Sequence, residues 1–199
     1  MTRLVAVLAC LVACASNDPA RYAAGTPPLV LERFFEGRVT AVGTLSNRSG
    51  NVIRRIRITG DGIWSEPEQA LTLNETWHWD DGTSEPRRWR WEKRPDGLWR
   101  GLERNLVGEG IGRAAGNTFH WDYTVRTETY DYGPLSIVAD DVMHLVDEQN
   151  MINLIDMYYW GFYVGQIVLH IQRGDRPIEP WPNAAPRLAS STRSASMAR

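Results

Sequence analysis

Between Leu71 and Trp91 the chain reads LTLNETWHWDDGTSEPRRWRW, and two charged residues in it, Glu75 and Arg87, stand where the alternation calls for apolar ones. Glu75 has the parity of Leu71, Leu73, Trp77 and Trp79; Arg87 has that of Trp89 and Trp91. A period of two marks a half-buried strand, so both side chains are expected on the inward face. A lone buried charge is costly, and a bidentate guanidinium–carboxylate pair is the usual remedy. With Asp80-Asp81-Gly82 as a three-residue hairpin loop and Gly82 left-handed, Trp79 faces Thr83, Trp77 faces Glu85 and Glu75 faces Arg87. The two are therefore expected to pair. A longer loop, Asp81 to Glu85, would set Trp79 opposite Arg87 instead. Such a pair can bind a polar head group at the floor of a ligand cavity, or it can simply fix the register of a core beneath packed tryptophans.

The chain has nine tryptophans, and the inward set comprises Trp77, Trp79, Trp89, Trp91 and Trp121, joined by Tyr123. Aromatic rings on one interior face can line a pocket for an acyl chain or another apolar ligand. They can equally fill a small barrel completely. The ligand-binding candidates are thus Glu75 and Arg87 as polar floor and these six aromatics as wall.

Other chemistry is poorly supplied. Gly108-Glu109-Gly110-Ile111-Gly112 precedes no strand-to-helix transition and is not a dinucleotide site; alternating glycines in a strand point to close packing at a barrel corner. Asp140 and Asp141 lie in one strand, so they point to opposite faces and cannot act as an acid–base pair; one is expected inward and hydrogen-bonded. His78, His120, His144 and His170 are scattered, which does not suggest a metal or haem site. No serine sits in a nucleophile elbow. Neither a catalytic residue nor a cofactor site is expected.

These residues need strands to hold them. Val52, Ile56 and Ile58 alternate with Arg55 and Arg57; Phe119, Trp121, Tyr123 and Val125 alternate with polar residues; so do Ile167, Leu169 and Ile171. Turn residues separate the runs, among them Asp81-Gly82, Pro95-Asp96-Gly97 and Gly116-Asn117. Only Leu29 to Phe35 reads as a short helical turn. About nine short strands in meander order predict an all-β, antiparallel up-and-down barrel of lipocalin-like type, which closes on itself and leaves no edge. A β-sandwich is the alternative.

The front end fixes an address. Residues 1–13, MTRLVAVLACLVA, place one arginine before an unbroken small-apolar run, the pattern of a signal peptide too short to span a bilayer as a helix. Leu11-Val12-Ala13-Cys14 resembles the bacterial lipobox, which implies that Cys14 is lipidated and Cys10 leaves with the signal. A 10–14 disulfide is not expected, and the mature fold has no cysteine metal site. Several acyl chains would hold the protein stably at a membrane. Ala15-Ser16, with no aspartate after the cysteine, resembles an outer-membrane sorting signal, leaving the domain facing the periplasm. Residues 14–28 read as a lipidated tether, 29–173 as the barrel and 174–199 as a disordered tail rich in Pro, Ala, Ser and Arg. The net charge of −2 offers nothing to a nucleic acid.

An ordered series of short pieces resembles the bacterial lipoproteins grouped as domain of unknown function 3833. The pieces are Phe34-Phe35-Glu36-Gly37, Gly43, Arg48-Ser49-Gly50, Arg54-Arg55, Leu73-x-Glu75-x-Trp77-x-Trp79-Asp80-Asp81-Gly82, and Arg87-x-Trp89. Val107-Gly108 with Gly112, Gly116-Asn117, Asp140-Asp141 with Met143, and Gly161-Phe162-x-Val164-Gly165 complete the series. Where the family often has Lys-Phe-Gly, this chain has Tyr159-Trp160-Gly161. The resemblance implies an envelope lipoprotein with a lipocalin-like barrel and supplies no catalytic residues. Taken with the residues, it leads to an expected barrel that binds a small hydrophobic or amphipathic ligand such as a lipid or fatty acid. The alternative is a non-catalytic envelope structural or interaction protein with a filled core.

Overall fold

The computed structural model describes residues 18–129, 133–177 and 181. Cys10 and Cys14, and most of the expected tail, lie outside the described residues. Ten antiparallel strands follow one another around a closed barrel: β1 Gly37–Asn47, β2 Val52–Ser65, β3 Ala70–Trp79, β4 Ser84–Lys93, β5 Leu98–Leu102, β6 Gly110–Ala115, β7 Thr118–Thr129, β8 Gly133–Leu145, β9 Asn150–Tyr159 and β10 Phe162–Arg173. β10 returns to β1, pairing Asn47 with Gly165 and Val39 with Arg173, so closure rules out the sandwich.

The meander sorts its turns between two ends. At one end lie the β2–β3, β4–β5, β6–β7 and β8–β9 turns and the start of β1. Here the LVLERFF segment forms helix α1, Leu31–Phe35, which buries Leu31, Phe34 and Phe35. Phe35 meets the Trp91 ring edge-on at 5.4 Å, so α1 acts as a stopper. Residues 18–28, read as tether, also lie on this end. Pro19–Tyr22 forms a 3-10 turn, Tyr22 packs on the His144 ring at 4.8 Å, and the Leu29 N–H donates to the Gly116 carbonyl at 2.8 Å. At the opposite end lie the β1–β2, β3–β4 and β9–β10 turns. Trp181, in the expected tail, rests on the outside of the wall, 4.0 Å from the Arg57 guanidinium.

The alternating glycines explain how so many rings fit. Methyl groups on Gly101 and Gly110, in neighbouring strands β5 and β6, would lie 1.5 Å and 2.6 Å from the Trp121 indole. One on Gly112 would lie 2.2 Å from the Phe119 ring. The glycines thus leave bare backbone on which Trp121 and Phe119 lie, both fully buried. Overpacking a core typically costs about 1–3 kcal/mol. Gly101→Ala is expected to destabilise the domain by at least that amount in urea unfolding, and Trp121→Leu in the same chain to recover part of the loss. If Gly101→Ala costs nothing, the seat is not tight.

Candidate functional site

The β3–β4 turn sets the register of the site. Trp79 donates its N–H to the Thr83 carbonyl at 2.9 Å, and Gly82 has φ +84°. Trp77 consequently faces Glu85, and Glu75 faces Arg87, as the three-residue loop predicts. Asp80 and Asp81 tie this turn to β2 through Arg55 (3.0 Å) and Arg54 (2.6 Å).

Facing is not pairing, however, and the expected ion pair is corrected by the side-chain partners. Glu75 Oε2 accepts the indole N–H groups of Trp77 at 2.9 Å and Trp89 at 3.2 Å. Arg87 turns the other way, toward the open end. Its guanidinium stacks 4.1 Å from the Trp77 ring and bonds Glu85 at 3.1 Å. The reason is local: residues two apart on a strand share a face. Each charge therefore finds a partner on its own strand before it needs the one across. Burial raises the Glu75 carboxyl above the usual carboxylate range, against the pull of the indole bonds and the Arg87 charge.

The interior is divided. Toward the open end runs a cavity of about 890 Å³, lined by Trp77, Trp79, Arg87, Tyr123, Arg54, Glu85 and the aliphatic side chains of β7 to β10, with Ile137, Ile155 and Ile167 among them. Beneath it is a void of about 40 Å³ that Glu75, Trp89, Trp91, Trp121, Asp141 and Asn153 enclose. Of the eight candidate binding residues, Trp77, Trp79, Arg87 and Tyr123 thus line the cavity, whereas Glu75, Trp89, Trp91 and Trp121 sit below it. Trp77 and Tyr123 touch both spaces and form the partition.

Two arginines face the cavity. Arg54 lies 4.1 Å from the Trp79 ring, and its side chain, like that of Arg87, is mostly buried. In both, the buried Nε–H has no hydrogen-bond partner. Arg54 and Glu85 were legible in principle: Arg54 shares the parity of Ile56 and Ile58, and Glu85 shares that of Arg87.

Below the partition, Asp141 is the inward member of the Asp140-Asp141 pair and is buried. It accepts hydrogen bonds from the Asn153 amide and from the Tyr123 hydroxyl, the latter at 3.3 Å. Burial pushes its carboxyl up to about 7, and burial beside this carboxylate holds the Tyr123 hydroxyl well above its ordinary value. On the outer face, Asp140 bonds His120 at 2.7 Å, and Asp122 joins them with donor atoms within 4.8 Å of one another. The sequence reading of scattered histidines did not anticipate that grouping.

A ten-stranded closed barrel with one end plugged and a ligand-sized cavity behind the other defines a lipocalin-like protein. Residues 8–173 match the family described as "Protein of unknown function (DUF3833)", and the chain belongs to it. No curated protein matches the sequence. Among solved structures, the chain is similar to an S-type phycobiliprotein lyase from Guillardia theta, with a TM-score of 0.54 and 10% identity over 73% of this chain and 92% of that one. It is also similar to the protein EF1p2_mFAP2b bound to DFHBI, with a TM-score of 0.40 and 11% identity over 78% of this chain and 99% of that one.

Asp141 gives the site a measurable signature. In the unfolded chain it ionises near pH ~4; in the folded protein it holds its proton up to about 7. Between those values folding takes up a proton, so this group's contribution to stability falls as pH rises through the window and is flat above it. Asp141→Asn keeps an acceptor for Asn153 and removes the charge. It is expected to flatten the fall and to raise stability at about pH 8 by at most roughly 4 kcal/mol. Urea midpoints of both proteins at about pH 5 and about pH 8 check this. Parallel pH profiles would mean that Asp141 ionises normally.

Proposed function

We propose that the barrel is a non-catalytic carrier for an acyl-chain ligand with an acidic head, such as a fatty acid or an anionic lipid. The observation that carries this reading is the cavity of about 890 Å³, mostly apolar, with the side chains of Arg54 and Arg87 in its wall. Sites for small ligands are mostly apolar hollows of ~300–1,000 Å³ with a few convergent polar groups, and this cavity matches both terms. The aliphatic walls from β8 to β10 suit the chain. Arg87, stacked on Trp77 at the cavity floor, suits the head. A hydrogen bond to a charged group contributes ~1.5–3 kcal/mol, which an acidic head bonded to the Arg87 guanidinium would gain.

The reading extends to location. Cys14 would carry the acyl anchor, four residues before Asp18, and would hold the protein to the outer membrane with the barrel in the periplasm. Mass spectrometry of the protein extracted from membranes should find acyl chains on Cys14, and Cys14→Ser should abolish them. An unacylated amino terminus elsewhere in the chain would sink the anchor and leave the cavity untouched.

For the cavity, titration with a fluorescent fatty acid should give saturable uptake. Arg87→Met should weaken it by roughly ten- to a hundredfold, the worth of one charge-assisted bond, and leave the matching fatty alcohol nearly unaffected. Trp79→Ala should weaken both without unfolding the domain. If the unmutated protein takes up neither probe, it is not a carrier.

A further inference from the structure

Two adjacent hairpin tips at the open end break the rules of a soluble surface. In the β9–β10 turn, Tyr159 pairs with Phe162, leaving a two-residue loop with Trp160 at φ +52° and Gly161 at φ +79°. That is a type I′ turn, whose first position favours Asn, Asp or Gly. A tryptophan there is strained, and the ring contact it makes among the described residues, with its neighbour Tyr159 at 6.0 Å, leaves it outside: Trp160 is 84% exposed and Phe162 75%. Because β1 pairs with β10, the β1–β2 tip lies alongside, and it adds Val52 at 56% and Ile53 at 51% exposure. A strained ring left this exposed is a feature to be explained from outside the molecule.

We infer that these two tips form a docking surface for a lipid bilayer, with Trp160 and Phe162 entering the interfacial layer. Three observations select a bilayer over a protein partner. The patch is continuous with the cavity, since Ile53 lines it and Tyr159 and Val164, from the other tip, stand in the same wall. Its composition is that of an interfacial anchor: residues 47–53 and 158–165 hold Trp, Phe and three tyrosines, one arginine (Arg48) and no acid. And its shape is a pair of narrow points. A stable protein interface needs ~800 Å² of matched surface on each side, whereas a fluid layer accepts a projecting ring. The choice of lipid over protein rests on the carrier reading; the exposure and strain of the tip do not.

The fold adds a direction. Asp18 and the residues after it lie at the plugged end, opposite the tips. Four residues reach at most ~14 Å, while a ten-residue strand is ~33 Å long. A barrel anchored upright by Cys14 therefore points its open end away from the membrane that holds it. The bilayer it meets is a second one, and a ligand could pass between the two.

Vesicle capture tests this with the full-length chain. The protein is set by its amino-terminal end into phosphatidylcholine vesicles, and dye-labelled, protein-free vesicles of phosphatidylcholine with phosphatidylglycerol are added. The labelled vesicles should be captured. Trp160→Asn with Phe162→Thr should reduce capture at least about tenfold, while the melting temperature holds or rises because asparagine accepts a positive φ. Trp160→Gly alone should give the same direction. Undiminished capture by these variants overturns the proposal, and so does capture only when the second vesicles also carry the chain, which would mean self-association. Fatty-acid titration of the same variants separates the two readings. Uptake retained with capture lost assigns the loss to the tips, whereas capture intact in a protein that takes up no fatty acid leaves the docking and sinks the carrier.

Discussion

Everything in the interior follows from one contact, the seating of the Trp121 ring on the bare backbone of Gly101 and Gly110. Eight strands enclose about as much space as side chains can fill, and ten enclose more. Filling even half of a ten-stranded barrel takes unusually large rings brought unusually near the wall. Trp121 collects the others at centroid distances of 5.6 Å to Tyr123, 5.9 Å to Trp91, 6.2 Å to Phe119 and 6.3 Å to Trp89. Two of these contacts, with Trp91 and Trp89, are edge-on, a geometry aromatic quadrupoles favour. With the plugged half packed in this way, the aliphatic and alanine side chains of β8 to β10 leave the other half open.

The polar residues lie at the boundary between the halves, and the indole N–H groups decide what they do. A buried tryptophan usually finds an acceptor, and Glu75 supplies one to Trp77 and Trp89 together, while the Trp91 N–H has none among the described residues. That service occupies the carboxylate and leaves Arg87 to Glu85, its partner two residues back on the same strand, at 3.1 Å. Asp141 is similarly engaged, by Asn153 and Tyr123, and is kept out of the cavity. Glu75 and Asp141 are thus structural parts of the floor, and the charged groups left facing the cavity are Arg54 and the Arg87–Glu85 pair.

The β3–β4 hairpin was legible in detail because its loop length dictates its register: Gly82 has to be left-handed, and the Glu75–Arg87 opposition follows from that alone. Barrel closure, the α1 turn and one inward, hydrogen-bonded member of the Asp140-Asp141 pair were legible from parity and turn residues. Parity says which face a side chain is on, but not how far along the barrel it lies or which neighbour it chooses. Six aromatics therefore read as one wall, although Trp89, Trp91 and Trp121 belong to the packed half and Trp79 to the cavity. For the same reason the nearer partners of Arg87 and Glu75 were missed. Arg54 enters the sequence reading only through the Arg54-Arg55 piece of the family pattern, because Arg55 and Arg57 mark the opposite face of β2 as the charged one. The His120, Asp122 and Asp140 grouping needs the β7–β8 register, which brings Asp122 opposite Asp140.

Pro86 shows that the wall itself is shaped for the site. Hydrogen-bonded and non-bonded pairs alternate along an antiparallel ladder. Counting from the bond between Trp79 and Thr83, the Trp77–Glu85 and Glu75–Arg87 pairs are bonded and the Thr76–Pro86 pair is not. The Pro86 nitrogen thus points away from β3, toward the side where β5 would lie. But β5 pairs with β4 only from Arg90 to Lys93, so a residue without an N–H costs nothing there. The segment after β5 leaves β4 and joins β7 instead, through Val107 N–H to the Thr124 carbonyl at 2.8 Å and Arg126 N–H to the Asn105 carbonyl at 2.7 Å. The half of β4 that carries Glu85 and Arg87 is therefore supported by β3 alone. A strand held on one edge can adjust where one held on both cannot, and the cation facing the cavity stands on that strand.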